Sequence, residues 1–326
     1  MMMDLFTGIS LSLFLQNEIC WLTLPMQLLS ILGMAEIYFF LVPAIFWCYD
    51  PRLGIRLALI TSLGAWFNDI LKLIFHLPRP YFLSHDVKML DIDKSFTFGF
   101  PSGHAQIPIS FLGLIGYWLK KPLIWVLIVI LLVGIGISRI FLGVHFSLDV
   151  ISGWVFGLIM LFAVILLDRP VSTFVERWSG TKLIISGFII SFVMVGVHKF
   201  IEITNTGFQI PEIWVSIDQG LSLSHTFFSS GTSLLTAGFF FGVVIGSVLS
   251  RNSPQFDPSG SLKERIGRYL IGMIVLAIIW VSVGLIIHLQ SDPGNSVLNW
   301  IRGAFLGVWI IYGAPYVFHR IIPQSP

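Results

Sequence analysis

Residues 122–149 read PLIWVLIVILLVGIGISRIFLGVHFSLD. From Leu123 to Ile137 no side chain carries a charge. A run of that length crosses hydrocarbon as a helix, because only a helix satisfies its own backbone groups there. Ser138 and Arg139 close the run, and His145 stands at the start of the next apolar stretch. Asp149 follows four residues later, on the same helix face as His145. A cation, an imidazole and a carboxylate are thus gathered at one end of two apolar helices.

The same apolar pattern recurs from end to end. Of 326 residues, 56% are hydrophobic and only 11% charged, with a mean hydropathy of +0.88. A soluble domain needs more charge to cover its surface, and a membrane barrel shows short alternating segments. The expectation is an all-α polytopic membrane bundle of about nine spans, at roughly 20 apolar residues per crossing. The spans are expected near 28–48, 54–75, 102–119, 123–143, 147–167, 182–199, 228–249, 266–288 and 298–319. Residues 1–27 read as an N-terminal interfacial segment, since LFTGISLSLFLQ (5–16) is too short to span. Residues 28–169 form a five-span core, and 170–326 a four-span extension whose role the sequence does not assign.

Smaller features take ordinary readings. Phe208, Ile210, Trp214, Ile217 and Leu221 predict an interfacial helix within 200–227. Gly153/Gly157 and Gly238/Gly242/Gly246 have the spacing of closely packed helices. Cys20 and Cys48 lack metal-ligand spacing and read as free thiols. The N-terminus has no basic region or A-x-A-like site of a cleaved leader. The net charge of +2, with no Lys/Arg-rich run, excludes nucleic acid as an expected partner. Glu36 lies inside the first span and fits a hydrogen bond to a neighbouring helix as well as a functional role. His198, His225, His288 and His319 are expected at interfaces. Asp91 and Asp93 read as a solvated D-x-D rather than metal ligands, and no metal or cofactor is expected.

Basic residues set an expected orientation. Most of the 19 lysines and arginines, among them Arg52, Arg56, Lys120, Lys121, Arg169, Lys263 and Arg320, fall on one set of loops and ends. Lys72, Arg79, Lys88, Lys94, Arg139, Lys199 and Arg302 fall on the other. By the positive-inside rule the first set is cytoplasmic. The N-terminus is then outside, the C-terminus inside, and the motif residues sit on the outer face.

Three strings carry the chemistry. In the first, Lys72 lies near the outer end of the second span. Taken alone it fits a pair with Asp69 that merely neutralises itself. Arg79 stands between Pro78 and Pro80, which end the helix and hold it on a stiff extended turn. Its planar fork matches phosphate oxygens. The second string is Pro101-Ser102-Gly103-His104. Serine caps a helix, glycine permits close backbone approach, and free N–H groups at a helix start attract anions. An isolated S-G-H is more simply an interfacial cap. In the third, Asp149 can hold Nδ1–H of His145 and leave Nε2 as a lone-pair donor. A structural His–Asp pair explains it equally well alone. All three strings on one membrane face favour function.

In this order, Lys72 to Asp149 resemble the three-part signature of the type-2 phosphatidic acid phosphatase superfamily, with no substitution in the motifs. The resemblance is silent about roughly the second half of the chain. It implies that His145 attacks phosphorus, giving a phosphohistidine, while Asp149 orients it. His104 then protonates the leaving oxygen and later activates water. Lys72, Arg79, Ser102, Gly103 and Arg139 hold the phosphoryl oxygens without a metal. The expected partner is a membrane-borne lipid or isoprenoid phosphate within the bilayer. Glucose-6-phosphatases share the pattern but lack an aspartate at the place of Asp149, which weighs against a sugar phosphate. A lipid phosphotransferase and a vanadate-dependent oxidase use the same pocket chemistry. A phosphate or lipid transporter is the rival from another class, supported only by the four extra spans.

Overall fold

The computed structural model describes residues 2–92, 97–211, 214, 227–251, 253, 256–290, 292 and 296–321. All regular elements among them are helical. In chain order they are α1 Met2–Glu18, α2 Thr23–Ile31, α3 Ala35–Cys48, α4 Pro51–Phe75, α5 Pro80–Leu83, α6 Gly103–Leu119, α7 Pro122–Phe141, α8 Ser147–Arg177 and α9 Gly180–Thr204. Further along the chain come α10 Gly231–Ser250, α11 Leu262–His288, α12 Val297–Val308 and α13 Ala314–Ile321. A π-helical turn, Trp309–Gly313, joins the last two.

The chain is a multi-pass membrane protein. Seven stretches among the described residues are long and apolar enough to cross a membrane, eight if α2 and α3 form one span bent by 47°. Nine were expected. The shortfall is α6, whose 17 residues make about 25 Å of helix against a hydrocarbon core of about 30 Å. Lys120 ends it in the left-handed conformation (φ 53°).

Helix starts follow local chemistry. Asp50 Oδ1 accepts the N–H groups of Arg52 and Leu53 ahead of Pro51 at the first position of α4. Ser261 and Glu264 form a capping box on α11, and Ser296 caps α12.

The chain forms two compact units, each discontinuous in sequence. The first comprises 1–37, 67–163 and 200–229. Its core joins Leu73, Tyr81, Phe82, Phe98, Phe141, Trp214 and Phe227, with Phe208, Ile210 and Phe228 packed against it. Of the residues expected on an interfacial helix, Trp214 is buried in this core, and Phe208 and Ile210 pack against it partly buried. Ile217 and Leu221 lie outside the described residues. Helix α1 also docks here through polar groups. Ser12 donates to Ile140 O, and Gln16 donates to Lys88 O and Phe141 O.

The second unit comprises 38–66, 164–199 and 230–326. The glycine faces of α10 and α12 interlock. A Cβ at Gly238 or Gly242 would strike the Trp300 or Ala304 carbonyl, and one at Gly303 or Gly307 would strike the Leu235 or Phe239 carbonyl. Small residues permit this approach, as their spacing predicted. His198 was expected at an interface but is fully buried, its Nδ1 3.0 Å from Ser233 Oγ. His225 lies outside the described residues. Cys20 and Cys48 are free thiols.

Candidate active site

All eight site residues expected from the motifs fall in the first unit, and the structure brings them together. Lys72, in the last turn of α4, donates to Thr97 Oγ1 (3.3 Å) and to Phe98 O (2.5 Å). Arg79 is extended (φ −96°, ψ 160°) ahead of Pro80, as the flanking prolines dictate. Its Nη2 reaches the same Thr97 Oγ1 (2.8 Å), Nε donates to Thr97 O (2.7 Å), and Nη1 to Val144 O (3.3 Å). Thr97 therefore ties two cations together, and Arg79 links them to Val144, the residue before His145. Phe98 is fixed in turn by ring contacts with Phe227 (4.8 Å) and His76 (4.9 Å).

Ser102 is the N-cap of α6 and is fully buried, with Oγ lacking a protein partner. Its N–H donates to Asp149 O (3.0 Å). Behind the turn, Asn68 Nδ2 donates to Pro101 O (3.2 Å) and Gln106 Oε1 (2.9 Å). Gly153 and Gly157 let α8 lie against this turn, because a Cβ at either would meet the Ser102 or Gln106 carbonyl. His104 stands in the first turn of α6, with Nε2 buried and without a protein partner. Its ring lies beside Gly33 at the α2–α3 bend. Buried polar atoms left unpaired cost stability. Ser102 Oγ and His104 Nε2 are thus suited to meet a ligand.

His145 lies between α7 and α8 and is almost fully buried. Its Nδ1 is 3.2 Å from Asp149 Oδ2, which also accepts the Phe146 N–H (2.9 Å). That second bond fixes the carboxylate. Its backbone N–H donates to Arg139 O (3.3 Å). Burial, first, and then the charges of Arg79, Arg139, Lys72 and His104 hold the imidazole well below its usual titration range. It is therefore neutral near pH 7, with Nε2 available as a base or nucleophile.

The reading of Asp91 as solvated is corrected. Asp91 is buried and pairs with Arg139, Oδ2 to Nη1 at 2.6 Å. Ser30 also accepts from Arg139 and donates to Asp91 Oδ1 (3.0 Å). Burial without a partner would be costly for either charge, so the pair accounts for both positions. Gln27 holds the adjacent Leu90 carbonyl (2.7 Å). Asp93 lies outside the described residues. Among those described, no group of three His, Cys, Asp or Glu side chains could hold a metal ion. Glu36 is exposed in the first turn of α3. Asn68, Thr97, Gln106, Ser30 and Asp91 escaped sequence reasoning. Only the intramembrane placement of Asn68 offered any signal.

Residues 53–172 match the PAP2 superfamily, and residues 234–325 match the transmembrane extension of PAP2 superfamily phosphatases. The chain carries a PAP2 superfamily domain and the transmembrane extension of that superfamily's phosphatases, and the candidate site residues from Lys72 to Asp149 all lie in the first matched region. Sphingosine-1-phosphate phosphatase 1 of Mus musculus is 32% identical over 52% of this chain and 40% of its own length. Phosphatidylglycerophosphatase B of Bacillus subtilis is 30% identical over 38% of this chain and 62% of its own. Undecaprenyl-diphosphatase of Sulfolobus acidocaldarius is 31% identical over 32% of this chain and 50% of its own. The chain thus spans about 40–62% of the length of these relatives. No solved structure matches it significantly.

Proposed function

We propose that this protein is a phosphatase of membrane-borne lipid or isoprenoid phosphates. The observation that carries the reading is the His145–Asp149 pair, buried beside Lys72, Arg79 and Arg139. In the proposed reaction, His145 Nε2 attacks phosphorus as the ester P–O bond breaks. His104 delivers a proton to the departing oxygen. The phosphohistidine is then attacked by water, whose proton returns to His104 as the N–P bond breaks and phosphate leaves. Asp149 keeps the proton on Nδ1 and balances the imidazolium charge. Lys72, Arg79 and Arg139, with Ser102 Oγ and the Gly103 N–H, stabilise charge on the phosphoryl oxygens. Asp91 and Ser30 hold Arg139 in place. No step uses a metal.

The names of the three relatives, all enzymes of lipid-linked phosphates, support the substrate class. The charge asymmetry of the loops supports an outer-face site in an inner membrane, with the C-terminus cytoplasmic. Phosphate release in detergent tests the reading. Phosphatidic acid, phosphatidylglycerophosphate, undecaprenyl diphosphate, sphingosine phosphate and glucose 6-phosphate would be screened against His145→Ala as blank. Release from at least one lipid that vanishes in the variant is the expected result. Release only from glucose 6-phosphate would move the substrate to sugar phosphates. Release only with an added hydroxyl acceptor would identify a phosphotransferase. Release by His145→Ala equal to the parent would overturn the mechanism.

A further inference from the structure

The second unit holds a cavity of about 750 Å³, within the range of small-molecule sites. Arg52 and Arg320 both line it. Neither guanidinium has an ion pair among the described residues. Asp50, the one acid in the lining, is committed through Oδ1 to capping α4. Arg320 lies over the Tyr316 ring, 4.6 Å from its centroid, a contact that orients the cation without discharging it. Ser247, Ser250, Ser253 and His319 also face the cavity, beside an apolar wall. Ile55 follows Arg52 by three residues on one face of α4, and Phe46 and Ile311 are buried in the unit. Phe256 stacks on Phe46, with rings 5° from parallel.

We propose that this cavity binds one anionic phospholipid, with its phosphate between Arg52 and Arg320 and its acyl chains along Ile55, Phe46 and Ile311. Two cations against one carboxylate, Asp50, leave the lining net positive, which favours an anion over a zwitterion. The apolar wall favours an amphiphile, because a soluble anion would leave that surface wet and unused. Both arginines belong to the set of basic residues expected on the cytoplasmic side, where anionic lipids create an attractive field. The region matched to the transmembrane extension supplies Phe256, Ile311 and Arg320. A lipid site would give that extension a task separate from the chemistry at His145.

The test uses the purified full-length protein in nanodiscs of phosphatidylcholine containing a minor fraction of phosphatidylglycerol. Lipid retained after transfer to detergent is read by native mass spectrometry. Phosphatidylglycerol is a diester with no terminal phosphate, so retention is measured apart from turnover. The parent should retain phosphatidylglycerol in preference to phosphatidylcholine. Arg52→Ala/Arg320→Ala should retain roughly tenfold less, and Arg52→Lys/Arg320→Lys an intermediate amount. Ile55→Trp keeps both charges but fills the apolar wall, and it should also lose retention. Glycerophosphoglycerol, the soluble headgroup, should not compete. Equal retention of the two lipids by the parent would overturn the proposal, as would undiminished retention by the double Ala variant or by Ile55→Trp. Effective competition by the soluble headgroup would replace the lipid with a free anion. If the double Ala variant does not fold, Ile55→Trp and the competition decide.

Discussion

Two buried histidines, one in each unit, set the proposed reactive site against a structural contact. His145 and His198 are 1% and 0% exposed, and each has Nδ1 within hydrogen-bond reach of a neighbour. His145 faces the Asp149 carboxylate; His198 faces the Ser233 hydroxyl. A carboxylate fixes the proton on Nδ1 and can balance an imidazolium, whereas a hydroxyl adds no charge. Two buried arginines repeat the contrast. Arg139 is gripped by Asp91 beside two cations and two histidines. Arg268, in the second unit, donates to the carbonyls of Asp257, Pro258 and Ser259 and ties down the loop before α11. Burial alone therefore does not mark function. What marks it in the first unit is charge held in place next to polar atoms left for a ligand.

The sharpest way to break this contrast is to remove each histidine. His145→Ala should lower phosphate release by at least about 10⁴-fold, as expected for loss of a nucleophile. His198→Ala should leave kcat within a few-fold and reduce thermal stability by about 1–3 kcal/mol, the cost of disturbing a buried hydrogen bond. Comparable rate losses in both would erase the distinction.

A second comparison sets two ion pairs against each other. Asp91→Asn should lower kcat/KM by roughly 10²-fold, because Arg139 loses its anchor in a buried setting. Asp168→Asn breaks the partly exposed Arg56–Asp168 pair (2.5 Å; side chains 23% and 39% exposed). It should leave kcat/KM unchanged and cost less than about 1 kcal/mol. An Asp91→Asn enzyme with parental kcat/KM would reduce Asp91 to a packing role.

The pH profile sharpens the assignment of His145. Its titration lies below the usual imidazole range, and in the proposed reaction only the neutral ring attacks. Protonation of His145 should therefore set the acid limb, and loss of the His104 proton, held low by the same burial and cations, the alkaline limb. The acid limb of kcat/KM should lie below the ordinary value of about 6.5. A limb at or above it contradicts the buried, cation-flanked setting. The smallest expected effect is none: EDTA should leave the rate unchanged, while vanadate should inhibit. Loss of activity on chelation would end the metal-free scheme.

Much of this was legible in the sequence because it depends on local pattern. Uninterrupted apolar runs require helices in hydrocarbon wherever they occur. The i,i+4 spacing of His145 and Asp149 made their contact legible, although His145 precedes α8 and the pair forms at the start of that helix rather than along one of its faces. Pro78 and Pro80 dictate the extended backbone at Arg79 by sterics alone. Glycine spacing likewise announced a close helix contact on α10, though not that α12 would make it.

Tertiary structure decided the partners, because partners are chosen by distance in space and not along the chain. Asp91 and Arg139 stand 48 residues apart, and Ser30 stands 109 from Arg139. Nothing in a D-x-D shows that its first carboxylate will be buried against an arginine from another helix. The same holds for Thr97, which joins Lys72 to Arg79, and for Asn68, which braces the turn before His104. Span count also waited for the fold, since a 17-residue α6 and a bend between α2 and α3 depend on where neighbouring helices let the chain stop and turn. Local sterics and hydropathy act within one turn of chain, so sequence alone determines them. Desolvated charges need neighbours that only folding supplies.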